Sequence, residues 1–188
     1  MAEEDPYKKA GTLELGLLKG RMRRCPTNVN PNCVSTSSNN DSYMQPWNVQ
    51  PENLSLGEVS ELIKDYMLKD PSASLVASSS SVAGTETVTE AGTGPEARYM
   101  LFDVPGSFGG TAKPDKVEFL IKSTDPRDWE GESAGLTVFF RSIAGSVKYI
   151  YPIQQPISDF GSQKKRMDAL RADLGWRLSG CELIECYE

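Results

Sequence analysis

The side chains with most chemical potential in this chain are its cysteines, which fall as two local pairs, Cys25 with Cys33 and Cys181 with Cys186. An even count in tight pairs suits short disulfide loops, which persist in an oxidising compartment. For Cys25 and Cys33 the competing readings are free thiols, a reversible redox couple or a metal pair, although neither spacing has the CxxC form that zinc sites use. For Cys181 and Cys186, two small apolar residues in a terminal strand read as well as a bridge. The next chemistry-bearing run is Lys164-Lys165-Arg166, placed in what reads as the first turn of a helix. Cations in that turn oppose the helix dipole. Either Asp159 offsets them by pairing with Arg166, or the three cations and the helix N–H groups form an anion site for phosphate, a carboxylate or an acidic loop of a partner. Arg141, beside Ser142 in an apolar run, either faces solvent or is half-buried against a carboxylate.

What is missing excludes more. The chain contains no histidine, so Ser-His-Asp triads, Cys-His pairs, HExxH zinc sites and histidine-ligated haem or copper are ruled out. No Ser-x-x-Lys run comes with the companion motifs of a serine–lysine nucleophile. The acids Asp125, Asp128, Glu130 and Glu132 lie in a Pro- and Gly-rich stretch and read as a solvated turn. A weak calcium site is the sharper alternative, but the spacing is not that of an EF-hand. There is no Gly-rich phosphate fingerprint, so no cofactor or metal is expected. With 26 acidic against 20 basic side chains and a net charge of -6, the chain lacks the basic face of a general nucleic-acid binder. No apolar run is long enough to cross a bilayer. The start, Met1-Ala-Glu-Glu-Asp-Pro, lacks the apolar stretch of a signal peptide, which leaves a cytosolic chain or a processed one.

A small set of elements must position these groups. Residues 1–24 carry Leu13, Leu15, Leu17 and Leu18, then Arg21, Arg23 and Arg24, and read as an arm lying on the domain or on a partner. A basic membrane-surface segment is the alternative. Residues 25–51, rich in Pro, Asn and Ser, read as an extended loop that Trp47 pins to the core. Ser55 and Glu58 form a capping box for a helix from Leu56 to Lys69, with Leu54 and Val59 as its hydrophobic staple. Its apolar face is Val59, Leu62, Ile63, Tyr66 and Met67, and Asp70-Pro71 stops it. Ser74–Val82 and Thr85–Ala91 read as a hairpin across Ala83-Gly84. Three firmer strands follow at Arg98–Val104, Lys116–Ser123 and Leu136–Ile143, joined as an antiparallel meander. An aromatic, proline-bearing connection with Tyr149, Tyr151 and Pro152 leads to a second helix at Gln163–Leu174, stopped by Gly175. Trp176–Tyr187 reads as a last strand. The expected fold is α+β: an antiparallel β-sheet of about four to six strands with two helices packed on one face. Residues 1–24 form an arm and residues 25–188 a single domain.

Three stretches together resemble one family. They are Arg24-Cys-Pro-Thr-Asn-Val-Asn-Pro-Asn-Cys-Val-Ser35, Asp115-Lys-Val-Glu-Phe119, and Phe140-Arg-Ser142 followed by Asp159-Phe-Gly-Ser-Gln-Lys-Lys-Arg166-Met-Asp-Ala-Leu170. They are similar to blocks of the domain of unknown function 1499 family, found in bacteria and in plant and algal chloroplasts. The insert Ser146–Pro156, which separates Arg141 from Asp159, resembles the chloroplast branch, some of whose members are thylakoid lumenal. The resemblance implies Asp159 as the carboxylate partner of Arg141. It also implies a chloroplast location, in the thylakoid lumen or thylakoid-associated.

The expected function is therefore a non-enzymatic accessory protein, peripheral rather than transmembrane, that docks on or helps assemble a photosynthetic membrane complex such as a photosystem. Its expected contact surfaces are Leu13, Leu15, Leu17 and Leu18, the Pro-Asn-Cys-Val loop, and Tyr149, Tyr151 and Pro152. Removing residues 1–24 is then expected to abolish docking and leave folding intact. Two alternatives stand beside it. One is a ligand-binding module whose anion site is Arg141, Ser142, Asp159, Lys164, Lys165 and Arg166. The other is a thiol-redox protein using Cys25 and Cys33.

Overall fold

The computed structural model describes residues 13–49, 54–82, 96–107, 113–123, 135–150, 152–153 and 155–179. Its centre is a run of long antiparallel strands, the last three of them carrying the Val, Ile, Leu and Phe that fit a pleated, half-buried surface and the first rich in Ser. These are β3 (Ser74–Val82), β4 (Glu96–Val104), β5 (Asp115–Ser123) and β6 (Leu136–Ile143), neighbours in that order. Each pairs antiparallel with the next, so the meander read from the sequence is present. The edge of β6 is shared by two short strands. β1 (Cys33–Ser35) pairs with residues 141–143 and β2 (Trp47–Val49) with residues 136–138. Outside β2 lies β9 (Arg177–Leu178), completing a seven-stranded sheet. A separate two-stranded ribbon joins β7 (Tyr149–Ile150) to β8 (Gln155–Pro156).

Helix α1 (Leu56–Met67) packs on β4 and β5, and α2 (Ser162–Leu174) on β1 and β6. Val59, Ile63 and Met67 of α1 and Met167 and Leu170 of α2 share one core with Phe102, Phe119, Phe140 and Val138 of the sheet. Both helices therefore cover the same face, and the fold is α+β as expected. The Ser55–Glu58 capping box is formed in both directions. The Ser55 backbone N–H and hydroxyl hold the Glu58 carboxyl below its usual range. Gly175, at φ +67°, ends α2 in the left-handed conformation that suits glycine.

The structure departs from the sequence reading within residues 25–51, and two further readings fall partly or wholly outside the described residues. Residues 25–51 are not wholly loop, because β1 and β2 each add three residues to the β6 edge. Pro and Asn mark turns but do not forbid short edge strands between them. β3 takes β4 as its ladder partner over its whole length, and the expected hairpin partner, Thr85–Ala91, lies outside the described residues. The last strand is described only as Arg177–Leu178, and Cys181 and Cys186 also lie outside the described residues.

Trp47 does pin its segment. It is fully buried, with its ring centroid 4.4 Å from that of Phe140, 5.9 Å from Trp176 and 6.3 Å from Phe119. It thus joins β2, β5, β6 and the segment after α2 in one aromatic cluster. Trp47→Ala is expected to lower the unfolding free energy by about 3–5 kcal/mol, read as the shift in urea midpoint at constant slope.

Candidate functional site

Strand β5 places two acids where an apolar strand should have none, and each organises one face of the sheet. Glu118 is fully buried and lies opposite Arg141 in the β5–β6 register. Arg141, 2% exposed, forms an ion pair with it, its Nε donating to Glu118 Oε2 at 2.6 Å. The second carboxylate oxygen accepts from Tyr99 Oη at 2.6 Å and from the Gly16 backbone N–H at 2.7 Å. The remaining guanidinium donors reach backbone carbonyls of the arm, Nη2 to Glu14 at 2.8 Å and Nη1 to Arg24 at 3.4 Å. Lys122 adds a bond from Nζ to the Gly20 carbonyl at 2.9 Å. Met22 of the arm is buried against Leu120 and Ala97, with Leu17 and Phe139 beside them. The arm turns at Lys19-Gly20, both at positive φ, between reciprocal Leu18–Arg21 backbone bonds. This is the mirror-image turn that suits a two-residue hairpin. Residues 13–24 therefore roof the face of the sheet that the helices leave open.

Asp115, 1% exposed, does the equivalent work on the helix face. Its Oδ2 accepts from Arg166 Nη2 at 3.0 Å, from Gln163 Nε2 at 2.8 Å and from the backbone and hydroxyl of Ser107. Its Oδ1 accepts from the Gly145 N–H at 3.0 Å. Gln163 Oε1 in turn accepts from Ser142 Oγ and Arg166 Nη1. A Cβ at Gly145 would sit 2.0 Å from the Pro114 carbonyl oxygen, so only glycine fits that approach. The network ties α2 to β5, β6 and the segment after β4.

The six residues expected to form one anion site do not form one. Successive strand residues point to opposite faces, so Arg141 lies under the arm while Ser142 joins Arg166 beneath α2. The acid paired with Arg141 is Glu118, and the acid paired with Arg166 is Asp115, in place of Asp159. Asp159 instead caps α2, accepting from the N–H groups of Gly161 at 3.0 Å and Gln163 at 3.3 Å. That role arises because the N-cap residue, Gly161, has no side chain to offer. Lys164 and Lys165 remain exposed. Cys25 and Cys33 form a disulfide with 5.7 Å between their Cα atoms. Leu13, Leu15 and Leu17 are partly buried and Leu18 is exposed. Because the arm covers a buried charge pair, removing residues 1–24 uncovers the core, contrary to the expectation that folding survives it. Tyr149 is half-buried and donates to the Val29 carbonyl, Pro152 is exposed, and Tyr151 lies outside the described residues. Among the described residues no cluster of three or more Cys, Asp or Glu could hold a metal ion.

Sequence reasoning missed Glu118, Asp115, Gln163 and Tyr99. An acid amid Val117, Phe119 and Leu120 and an arginine amid Phe139, Phe140 and Ile143 were visible, and two such strands in register pair their charges. The Tyr99 phenol is pushed well above its usual pKa by burial first and the Glu118 charge second. The folded protein therefore holds a proton that the unfolded chain releases near pH 10, so this contribution is intact below pH 10 and is lost above it. Tyr99→Phe is expected to cost about 1.5–3 kcal/mol at neutral pH and to flatten the alkaline fall in stability. Urea unfolding between pH 7 and 11 checks both.

The region between Tyr149 and Gly161 presents apolar groups to solvent. Ile150 is 49% exposed, Ile153 74% and Phe160 81%. Phe160 also sits at φ +56°, where a bulky residue is strained. Exposure and strain in one side chain both oppose stability, and such residues concentrate at functional sites. Among the described residues no helix is long and apolar enough to cross a membrane.

No family model matches the chain, and no solved structure matches it. A search of curated proteins finds the thylakoid lumenal 17.9 kDa protein, chloroplastic, of Arabidopsis thaliana, 27% identical over 180 residues. The match covers 96% of this chain and 67% of that protein. The chain is thus similar along nearly its whole length to a chloroplast protein of the thylakoid lumen, in agreement with the location expected from its motifs.

Proposed function

We propose that the protein is a non-catalytic accessory protein of the thylakoid lumen that docks on, or assists assembly of, a photosynthetic membrane complex. The observation that carries this reading is the exposed apolar lip of Ile150, Ile153 and Phe160, held out at the ribbon and at the entry to α2. Exposed apolar side chains, two on the ribbon and one strained at the entry to α2, are what a docking surface requires. Pro152 within the ribbon stiffens it further. The lumenal relative supports the compartment, and an oxidising compartment suits the Cys25–Cys33 bridge. The buried acids support the non-catalytic part of the proposal. Glu118 and Asp115 have oxygens occupied by structural donors, which suits clamping better than proton transfer.

The test is affinity capture from solubilised thylakoids with wild type and with the double variant Ile153→Ser/Phe160→Asn. Asparagine tolerates the left-handed conformation that phenylalanine does not. Wild type is expected to recover one photosynthetic complex in stoichiometric amount. The variant is expected to lose it while its unfolding midpoint stays level or rises. Equal recovery by both proteins, or recovery of nothing by wild type, overturns the proposal.

A further inference from the structure

The arm and the Cys25–Cys33 loop enclose a cleft of about 950 Å³, the scale of a small-molecule site. Its charge is opposite to that of the chain. Among the described residues, Lys19, Arg21, Arg23, Arg24 and Arg141 line it against the one acid Glu14, whereas the whole chain carries -6. Two of these cations are engaged, Arg141 with Glu118 and Arg23 with Glu14. Lys19, Arg21 and Arg24 are exposed and have no ion-pair partner among the described residues. Arg23 Nε is buried and has no hydrogen-bond acceptor, an uncommon deficit in a folded interior. Clustered like charges with a waiting donor repel one another until an anion enters. The other walls are apolar, built from Leu13, Leu18, Pro26 and Val29.

We propose that this cleft binds a small anionic amphiphile, with a phosphate, sulfonate or carboxylate head against the arginines and an apolar tail along Leu13, Leu18, Pro26 and Val29. The site is separate from the apolar lip at Ile150, Ile153 and Phe160, so it stands or falls independently of the docking reading. Arg141 is held at the site by the buried Glu118 pair, which pre-organises one wall. The disulfide closes the segment that carries Pro26 and Val29, the opposite wall. Arg21 and Arg24 are exposed, so their replacement spares the core.

The test is calorimetric titration of the full chain with dodecyl phosphate below its micelle concentration, alongside inorganic phosphate and the neutral dodecyl maltoside. Dodecyl phosphate is expected to bind one equivalent per chain. Charge-assisted bonds of the usual strength make Arg21→Gln/Arg24→Gln weaker by about tenfold or more. Leu18→Asp, at a position 53% exposed, is expected to weaken the tail contact without disturbing the fold. Equal binding of the neutral amphiphile, equal binding of inorganic phosphate, or undiminished binding by the arginine variant overturns the proposal. Co-sedimentation with phosphatidylglycerol vesicles that depends on Arg21 and Arg24 assigns the ligand to a lipid headgroup. Binding of free dodecyl phosphate without such co-sedimentation assigns it to a soluble amphiphile, and the cleft assignment holds in both cases.

Discussion

A buried charge pair is tolerable only if every donor and acceptor around it is answered, and that constraint governs this structure at Glu118 and Arg141. The sheet alone cannot answer them. Two β-strands bring the carboxylate and guanidinium together, but the remaining lone pair and N–H groups point away from the sheet. The arm supplies what is missing with the Gly16 amide and the carbonyls of Glu14 and Arg24. The arm is therefore part of the core, although it reads as an appendage. Its tight turn at Lys19-Gly20, the burial of Met22 and the placement of the Arg21–Arg24 run all follow from lying across that pair.

The same logic operates on the opposite face with different partners. Asp115 collects donors from four residues in three segments, so α2 is anchored by charge at its start and by Met167 and Leu170 further on. The cationic first turn of α2, costly by the helix dipole, is relieved at Arg166 by that acid and at the backbone by Asp159. Both charged clusters are thereby used up in holding elements together. Two surfaces among the described residues face outward without such a role, the exposed apolar groups after β7 and the basic cleft at the arm, and both proposals of function concern them.

The legible parts of the molecule were those governed by local rules. Ser55-x-x-Glu58, the Asp70-Pro71 stop, Gly175 and the alternating strands each carry their structure in a few adjacent residues, and each stands where the sequence places it. Trp47 was legible because a lone tryptophan in a polar loop has to be buried somewhere. The partners of the buried charges were not legible, because they depend on register between strands distant in sequence. A one-residue shift would exchange the faces of Arg141 and Ser142. The short strands β1 and β2 were hidden for a related reason, since their ladder bonds come from β6, more than a hundred residues away at Arg141–Ser35. The apolar lip was half legible: the connection was singled out through Tyr149 and Pro152, whereas the most exposed groups are Ile153 and Phe160.

The central claim is that the Glu118–Arg141 pair and the arm form one cooperative unit. Native-state hydrogen exchange at the Gly16 amide, which donates to Glu118 across 102 positions of sequence, tests it most directly. If the arm is core, that amide is expected to exchange only through global unfolding, with the same denaturant dependence as amides of β5 and β6. Exchange at the rate of an exposed turn, insensitive to denaturant, would show that the arm detaches freely and would contradict the account.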